Sequence, residues 1–451
     1  MGILSKDRIV AKPGYNRWWN IPAALLINLS IGQAYAFSVF NIPLTRVIGI
    51  TESAPDDWRL TTLGWVFTLA YVFLGLSAGL GGQWQERVGP RMSGFVAAVC
   101  FGGGFFMAAL GVFLHEIWLL YVGYGIIGGT GLGLGFTTPV ATLIRWFPHR
   151  RGMATGLAVM GFGGGAIIAA PVSSALMDHF ASPSSVGVWE TFVVMGSVYL
   201  VAMVAGAFMF RVPPEQVEAE TAQLESARGI SVSDAMKTRQ FYLLWTIILL
   251  NVTAGIGVLG QASPMIQEVF TGFSAPAAAA FVGVLSFFNM GGRLLWSSLS
   301  DQIGRKATFG IFFTVGPLLY AAVPFAGHLS NQVMFVTCFA LILTMYGGGF
   351  ASLPAYVADV FGTRDVGPIH GRVLTALSVA GVLGPVLVNY IREYQIQHGV
   401  TTGQAYDITM FIMAGLLIIG FFCNRAIHPL AGPPAFKSRE AGEPNESAPV
   451  A

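Results

Sequence analysis

Charged side chains are scarce in this chain of 451 residues. Only 10% of the residues are Asp, Glu, Lys or Arg, while 54% are hydrophobic. An ordinary soluble domain carries roughly 25% charged residues, so this composition excludes a soluble globular protein, and its apolar content excludes a disordered one. Because 24 basic residues nearly cancel 22 acidic residues, the net charge is only +2. Nucleic acid is therefore not an expected partner.

Cysteines are few, and catalytic motifs are missing. The three cysteines, Cys100, Cys338 and Cys423, show no Cys-x-x-Cys spacing, which excludes a disulfide framework and a metal or redox motif of that type. The chain has no His-Glu-x-x-His motif, no Gly-x-Ser-x-Gly motif and no pair of carboxylates deep inside an apolar segment. Such constellations identify most metal-dependent and nucleophilic enzymes. The sequence therefore predicts no cofactor, no metal site and no enzymatic activity.

Long apolar segments dominate the chain instead. A helix that crosses a bilayer needs about 20 mostly apolar residues, and twelve segments qualify. They run approximately over residues 18–42, 61–85, 91–113, 116–143, 152–176, 188–211, 241–267, 276–299, 306–327, 332–358, 371–391 and 405–428. We therefore predict an all-α membrane protein with twelve transmembrane helices in a lipid bilayer.

The basic residues indicate how these spans are oriented. If the N-terminus is cytoplasmic, only Arg46, Arg59 and Arg392 fall in outer loops and Arg293 falls inside a span, so 20 of the 24 basic residues lie on the inner side. Lys and Arg concentrate in cytoplasmic loops of membrane proteins. Both termini and the loop after the sixth span are therefore predicted to be cytoplasmic, in a multi-pass protein of the cell inner membrane.

A loop motif occurs in both halves of the sequence. One copy, Gly82 to Arg91, follows the second span, and the other, Ser297 to Lys306, follows the eighth. The acid, the glycine and the final base recur after 215 residues, as Glu86 and Asp301, Gly89 and Gly304, and Arg91 and Lys306. Two parallel six-helix halves of this kind hold a substrate between them near mid-bilayer. The predicted organisation is a cytoplasmic N-terminal segment (1–17), a first half (18–211), a central cytoplasmic loop (212–240), a second half (241–428) and a disordered cytoplasmic tail (429–451).

These loops, in a chain of twelve spans, resemble the loops of the major facilitator superfamily. Three further segments are similar to those of the oxalate/formate antiporter family, and the first of them also to the related monocarboxylate porters. They are Arg145-Trp-Phe-Pro-His-Arg-Arg-Gly-Met-Ala-Thr-Gly156, Thr238-Arg-Gln-Phe-Tyr-Leu-Leu-Trp245 and Asn289-Met-Gly-Gly-Arg293. The resemblance covers about residues 18–428. It implies a secondary carrier of small organic anions that works by alternating access.

Arg293 is the strongest candidate for a substrate ligand. It lies eight residues before Asp301, about 12 Å along a helix from the inner loop. An ionised side chain at that depth is unfavourable unless it is paired or hydrated, and it marks a transport pathway. A guanidinium binds a carboxylate through two parallel hydrogen bonds, and no acidic residue of the spans lies deep enough to pair with Arg293 permanently. The alternative is an arginine that binds backbone carbonyls or reaches the inner interface.

Other candidates surround this arginine. Asn289 lies one helical turn before it on the same face, where it orients the guanidinium or binds the substrate, unless it only joins two helices. The resemblance places five more residues at or beside positions that line the site of the antiporters: Gln33, Tyr35, Phe136, Tyr346 and Phe350. Helix packing or contact with lipid is the alternative for each of them.

The expected substrate follows from a departure from the resembling family. Oxalate carriers have a lysine in helix 11, and the matching position here is Leu377. One buried cation balances one carboxylate, so we expect a monocarboxylate such as lactate or pyruvate. Exchange of a dicarboxylate for formate is the alternative within transport, and a carboxylate sensor that signals through the central loop is the alternative outside it.

The sequence does not identify the ion that is coupled to transport. No Asp or Glu lies deep in a span, and Glu268, near the outer end of the seventh span, is the nearest proton carrier. The second partner is therefore either a proton or a counter-anion, and we expect a monomer.

The repeated loops are predicted to gate the inner side. Glu86 and Asp301 would accept hydrogen bonds from a helix N-terminus, and the bases would reach acids on adjacent helices. The predicted gating residues are Gly82, Glu86, Arg87, Gly89, Arg91, Asp301, Gly304, Arg305 and Lys306. The alternative is that the positive charges only set the topology.

Overall fold

The computed structural model of the chain describes residues 6–12, 14–147, 151–214, 229–362 and 365–430. Within these residues the chain is helical, and its only β-type pairings are isolated bridges such as the one between Val10 and Val212. Twelve of the helices in these ranges are long and apolar enough to cross a membrane. They are α1 Arg17–Leu44, α2 Leu60–Val88, α3 Pro90–Phe113, α4 Ile117–Leu143, α5 Arg151–Phe180, α6 Val188–Met209, α7 Arg239–Leu259, α8 Ala275–Ile303, α9 Arg305–His328, α10 Gln332–Phe361, α11 Val366–Gln397 and α12 Asp407–Arg425.

Small residues bring the helices of one half together. In the first half, a Cβ atom added at Gly32 of α1 would lie 2.8 Å from the Cα atom of Gly165 in α5. Such a distance leaves no room for any side chain, so the two backbones touch directly. Membrane helices pack in this way because lipid provides no hydrophobic force between them and close van der Waals contact replaces it.

The two halves meet along two pairs of helices. Between α2 and α11, the hydroxyl of Ser378 donates to the carbonyl of Val72 at 2.8 Å. Between α5 and α8, the hydroxyl of Ser286 donates to the carbonyl of Gly163 at 2.5 Å. Because these bonds join helices of different halves at mid-helix depth, the two halves are in close contact around the centre of the molecule.

The repeated loops adopt the same backbone conformation. Gly89 ends α2 with φ of 82°, and Gly304 ends α8 with φ of 87°. Both values lie in the left-handed region that residues with a Cβ rarely adopt, and each N–H closes the helix by donating to a carbonyl four residues earlier, of Gln85 and Ser300. The predicted architecture, an all-α protein with two pseudo-symmetric six-helix halves, is confirmed.

Four of the described spans depart from a continuous α-helix in ways that the sequence did not predict. Residues Tyr121–Gly128 of α4 form a π-helix. Residues Gly32–Phe40 of α1 form a 3₁₀ helix. The chain after α7 resumes as a short helix, Ala262–Val269, which we call the outer helix. In α11, Val366–Val373 and Ala376–Gln397 are separate helices. The assignment of Arg392 to a loop was wrong, because the second of these helices continues past it and an ion pair, described below, holds it.

Candidate functional site

Arg293 lies inside the protein rather than against lipid. It is fully buried on α8 and contacts α1, α5 and α10. Its position ten residues before the C-terminal end of the helix at Ile303 corresponds to about 15 Å along the axis. A cation is thus held between the two halves, in the middle of the contact surface that joins them.

Three neutral groups accept hydrogen bonds from the guanidinium. Nε donates to Oδ1 of Asn289 at 3.2 Å, Nη1 to the carbonyl of Val159 at 3.1 Å, and Nη2 to the hydroxyl of Tyr35 at 3.2 Å. One partner is a backbone carbonyl, which agrees with the alternative that Arg293 binds backbone carbonyls. None of the three partners carries a negative charge. Among the residues that the structure describes, no carboxylate lies within ion-pair distance of Arg293.

Two aromatic rings face the same guanidinium. Its central carbon lies 5.5 Å from the ring centroid of Phe162 on α5 and 5.2 Å from that of Phe350 on α10. A cation over an aromatic face is stabilised by about 0.5–2 kcal/mol when water is excluded. The rings lower the energy of the buried charge without neutralising it, so an anion is still the strongest partner this group can gain.

A pair of tyrosines joins the two halves beside the arginine. The hydroxyl of Tyr35 in α1 lies 3.3 Å from the hydroxyl of Tyr346 in α10, and the rings meet edge to face at a centroid distance of 6.1 Å. Tyr346 in turn packs on Phe350 at 5.2 Å. Four residues proposed from the sequence, Asn289 and these three aromatics, therefore surround Arg293.

Phe136 and Gln33 lie further from the guanidinium. Phe136 packs on Phe162 at a centroid distance of 5.4 Å, so it supports the wall of the site from behind. Gln33 accepts a hydrogen bond of 3.0 Å from the hydroxyl of Tyr124 in α4, within the first half. Phe162 thus connects Phe136 to the site, whereas the hydrogen bond of Gln33 lies within the first half, away from the guanidinium.

Unused hydrogen-bond donors accumulate around the arginine. A guanidinium has five N–H groups, and three of them are used by the bonds above. Within the described part of the chain, Nδ2 of Asn289, whose Oδ1 already binds the guanidinium, is buried without a hydrogen-bond partner. A buried donor without an acceptor costs about 1–3 kcal/mol. An excess of donors over acceptors around a buried cation is the chemistry that binds an oxyanion.

Two glycines allow side chains of the site to lie against backbone. A Cβ atom at Gly163 would lie 2.6 Å from Nε of Arg293, and one at Gly255 would lie 2.2 Å from the ring of Tyr346. Neither side chain could keep its place beside an alanine. The glycine clusters of the spans therefore shape the site as well as the helix packing.

Sequence reasoning did not identify Phe162, Tyr124 or Tyr71. Phe162 is the single aromatic residue within Gly161–Gly165, a glycine-rich segment whose pattern indicates close helix packing. Tyr71 of α2 is fully buried and lies among the hydroxyls of Tyr35, Tyr346 and Tyr124. A phenol in the middle of an apolar span needs a polar partner, so the tyrosines of the spans carried a signal that could have been used.

The final base of each repeated loop binds a helix end within its own half. Nη2 of Arg91 donates to the carbonyl of Phe208 at 3.0 Å, at the end of α6. Nζ of Lys306 donates to the carbonyls of Arg425 and Ile427 at 2.9 and 2.7 Å, at the end of α12. A cation is favourable at a helix C-terminus, where carbonyls lack partners. The two loops thus make equivalent contacts in the two halves.

The remaining loop residues show fewer contacts. Arg305 forms an ion pair with Asp301 one turn earlier, Arg87 is exposed, and a Cβ atom at Gly82 would meet no neighbouring atom. The side chain of Glu86 lies outside the described residues. That these loops pair with acids on adjacent helices in one transport state stays a prediction.

An ion pair at the end of the bundle opposite the termini involves the residue proposed as a proton carrier. Arg392 of α11 and Glu268 of the outer helix form a two-point ion pair, with Nε to Oε2 at 2.7 Å. The hydroxyl of Tyr406 donates to the same Oε2 at 2.8 Å. All three residues belong to the second half, so the cluster holds the outer helix against α11 and α12.

Comparison with known proteins identifies a matching family model and several relatives of similar sequence. The model of the Major Facilitator Superfamily matches residues 16–385. The chain is 26% identical over 373 residues to the oxalate:formate antiporter of Oxalobacter formigenes. The aligned region covers 82% of this chain and 83% of the relative. It is 27% identical over 401 residues to monocarboxylate transporter 11 of Homo sapiens, with 86% and 79% covered.

A solved structure shares the architecture. The crystal structure of a D-xylose-proton symporter superposes with a TM-score of 0.69 and covers 91% of this chain and 98% of the symporter. Its sequence identity of 17% shows that the fold is the same, and carries no information on the transported molecule.

Proposed function

Since the chain belongs to the Major Facilitator Superfamily, we propose that it is a secondary carrier of small organic anions, with a monocarboxylate such as lactate or pyruvate as substrate. Transport would proceed by alternating access, in which the first half rocks against the second around Arg293. The proposed location is the cell inner membrane, with both termini cytoplasmic, the half boundaries at residues 18–211 and 241–428, and a monomer as the working unit.

One observation supports this proposal above all others. Arg293 is fully buried between the halves, and its three hydrogen-bond partners are neutral. An unpaired buried cation is unfavourable by several kcal/mol, and a bound carboxylate would remove that penalty. Tyr35, Tyr346 and Asn289 would then donate or orient hydrogen bonds around the same oxyanion.

The charge of the site favours a single carboxylate. Leu377, at the position of the second cation in oxalate carriers, is buried and apolar. A dicarboxylate would leave one negative charge without a partner in a water-excluded site, whereas a monocarboxylate would be neutralised by Arg293 alone. The relationship to monocarboxylate transporter 11 agrees with this preference.

The proposed mechanism follows from the contacts that must break. Tyr35 belongs to the first half, and Arg293 and Tyr346 belong to the second. When the halves separate on one side, these two hydrogen bonds open, and the guanidinium is exposed to an entering anion. Closure over the bound anion would remake the contacts, and the repeated loops at the inner ends would gate that side.

A ligand screen tests the proposal. Purified protein would be heated with formate, acetate, lactate, pyruvate and oxalate, and we expect monocarboxylates to raise the Tm. Arg293→Gln should abolish every such shift, while Arg392→Gln, which removes a half-buried arginine of the cluster with Glu268, should retain them. Equal shifts in wild type and Arg293→Gln would remove Arg293 from the site and would refute the proposal.

Exchange of a dicarboxylate for formate is the second candidate, and the identity with the oxalate:formate antiporter favours it. Uptake of labelled anions into proteoliposomes distinguishes the two, since only this candidate predicts that oxalate inhibits at concentrations where acetate has no effect. The same vesicles identify the coupling partner. Uptake that depends on an anion inside indicates exchange, and uptake driven by an acidic outside indicates proton symport.

A further inference from the structure

A polar cavity opens at the face opposite the termini. It has a volume of about 210 Å³ and lies between the outer ends of α1 and α5 on one side and the outer helix with the start of α8 on the other. We call it the outer cleft. Its polar lining includes Arg46, Ser174, Asp178, Ser263 and Gln267. The outer cleft therefore lies at the outer end of the surface along which the two halves meet.

Arg46 provides the positive charge of the outer cleft. It is half-buried, and its Nη1 donates to the carbonyl of Thr51 at 3.1 Å. Its Nε is buried and finds no hydrogen-bond partner among the described residues. In the same part of the chain no carboxylate lies within ion-pair distance of it. The guanidinium therefore retains its charge and an unused donor.

One acid of the surrounding loop, Asp57, is occupied by backbone donors rather than by Arg46. Asp57 accepts hydrogen bonds from the backbone N–H groups of Ile48, Gly49 and Ala54 at 2.8, 3.0 and 2.8 Å. A carboxylate with three backbone donors is already satisfied. Asp57 therefore fixes the backbone around Arg46 without forming an ion pair with its side chain.

The cleft also contains one acid. Asp178 of α5 lines it but is exposed to solvent, so water and salt screen its charge more than that of the half-buried Arg46. Hydrogen-bonding groups from the second half complete the lining, and Nε2 of Gln267 already donates to the hydroxyl of Ser263 at 3.2 Å. The cleft is thus a polar pocket with one shielded cation and one screened anion.

We propose that the outer cleft is a binding site for small carboxylates, in which Arg46 receives the anion before the halves open toward Arg293. This inference rests on the proposed function, because it assigns to the same substrate a first position on its path. A charged group at the mouth of a cleft raises the local concentration of an oppositely charged ligand, and the effect weakens with ionic strength. The outer cleft accordingly governs capture from the outer side and leaves the central site unchanged.

Uptake from the outer side tests this site. The probe is the labelled carboxylate that gives the largest uptake in the panel described above, measured in right-side-out and inside-out vesicles at low and high salt. Arg46→Gln should raise the KM at the outer face about tenfold at low salt, with the maximal rate and the KM at the inner face unchanged. Arg46→Lys, which retains the charge, should recover most of the affinity.

Two acidic residues provide a matched comparison, because removing a negative charge from the cleft should change the KM in the direction opposite to Arg46→Gln. Asp178→Asn removes the anion of the cleft and should lower the KM at the outer face. Glu52→Gln removes an exposed carboxylate from the Arg46 loop, outside the cleft lining, and should leave the KM as it is. If Arg46→Gln does not fold, the difference between these two variants decides the question.

The outcomes separate this inference from the proposed function. An unchanged outer KM and salt dependence in Arg46→Gln, with equal KM values in Asp178→Asn and Glu52→Gln, would overturn the outer site, even if Arg293→Gln abolishes uptake. A wild-type protein that takes up none of the carboxylates would instead refute the proposed function. A rise in KM at both faces would assign Arg46 to the transport cycle and would also overturn the inference.

Discussion

The hydroxyl of Tyr35 lies 3.2 Å from Nη2 of Arg293, although the two residues are 258 positions apart in the chain. Tyr35 belongs to the first half and Arg293 to the second, so this hydrogen bond crosses the surface that must open during transport. The same hydroxyl lies 3.3 Å from that of Tyr346. One phenol of α1 thus contacts both the cation of the site and its aromatic wall.

Removal of the Tyr35 hydroxyl should weaken substrate binding. In Tyr35→Phe the ring can keep its place against Phe162, but the bound carboxylate loses the hydroxyl that would donate a hydrogen bond to it. A hydrogen bond to a charged group contributes about 1.5–3 kcal/mol, so we expect the KM for the carboxylate to rise about tenfold or more. Kinetic uptake measurements in proteoliposomes would record this change.

The control for Tyr35→Phe is another buried tyrosine. Tyr124→Phe removes the hydrogen bond to Gln33, at a distance from the guanidinium, and should lower the Tm without a comparable rise in KM. If both variants change the KM equally, the hydroxyl of Tyr35 has no special role at the site.

Gly163→Ala should block the site without unfolding the protein. The added methyl group would lie 2.6 Å from Nε of Arg293, so the guanidinium must leave its position between the halves. We expect transport and carboxylate-induced stabilisation to fall by more than tenfold, about 1.4 kcal/mol or more. Thermal shifts and uptake measure the two effects in the same preparation.

Gly283→Ala is the matched control for this substitution. It adds the same methyl group on α8, where the nearest atoms lie at 3.8 Å, an ordinary van der Waals distance. Transport by Gly283→Ala should stay near that of wild type. Normal transport by Gly163→Ala would show that Arg293 works from a different position.

The sequence predicted the parts of this architecture that depend on composition and spacing. The twelve spans follow from apolar runs, and the two halves follow from the equal spacing of Gly89 with Gly304 and of Arg91 with Lys306. The family was recognised from the same motifs, and the match over residues 16–385 confirms it. Arg293 was identifiable because a charge in an apolar span is rare and needs an explanation.

The contacts between side chains of different helices could not be predicted from the sequence. Phe162 faces Arg293 because glycines bring α5 close to α8, and no spacing rule gives that approach. The break between Leu259 and Ala262 follows from tertiary packing, in which Nδ2 of Asn41 donates to the carbonyl of Gly260 at 2.9 Å. A hydropathy pattern shows that a segment is apolar and cannot show where its helix is interrupted.

The loop around Asp57 should lose stability as the pH falls. Partial burial is the largest single effect and raises the pKa of Asp57, but the backbone donors of Ile48, Ala54 and Gly49 and the nearby His115 together lower it below the ordinary value. A carboxyl whose pKa is lower in the folded state stabilises the fold above its unfolded pKa, and this contribution disappears as the pH falls through the folded pKa.

Amide hydrogen exchange measures this effect directly. The protection of the Ile48, Gly49 and Ala54 amides, corrected for intrinsic exchange, should decrease from neutral pH into the acidic range. Asp57→Asn should show lower protection at neutral pH and little further dependence on acid. Equal pH dependence in both proteins would mean that the carboxylate does not hold the loop.

The ion pair between Arg392 and Glu268 should contribute more to stability than its neighbour on the same helix. The side chains are only 14% and 17% exposed, and removing one partner of a buried pair is unfavourable by about 3 kcal/mol. Arg59 and Glu393 form the comparison, since their atoms are 3.8 Å apart and the arginine is 79% exposed. Such a surface pair contributes at most about 1 kcal/mol.

Unfolding in detergent tests this difference. Arg392→Gln and Glu268→Gln should each lower the free energy of unfolding strongly, and the double variant should lower it by less than the sum, because the second change removes a charge that has already lost its partner. Arg59→Gln should have little effect. If Arg392→Gln and Arg59→Gln were equally stable, the outer helix would be held by its apolar contacts alone, and the ion pair would have no structural role.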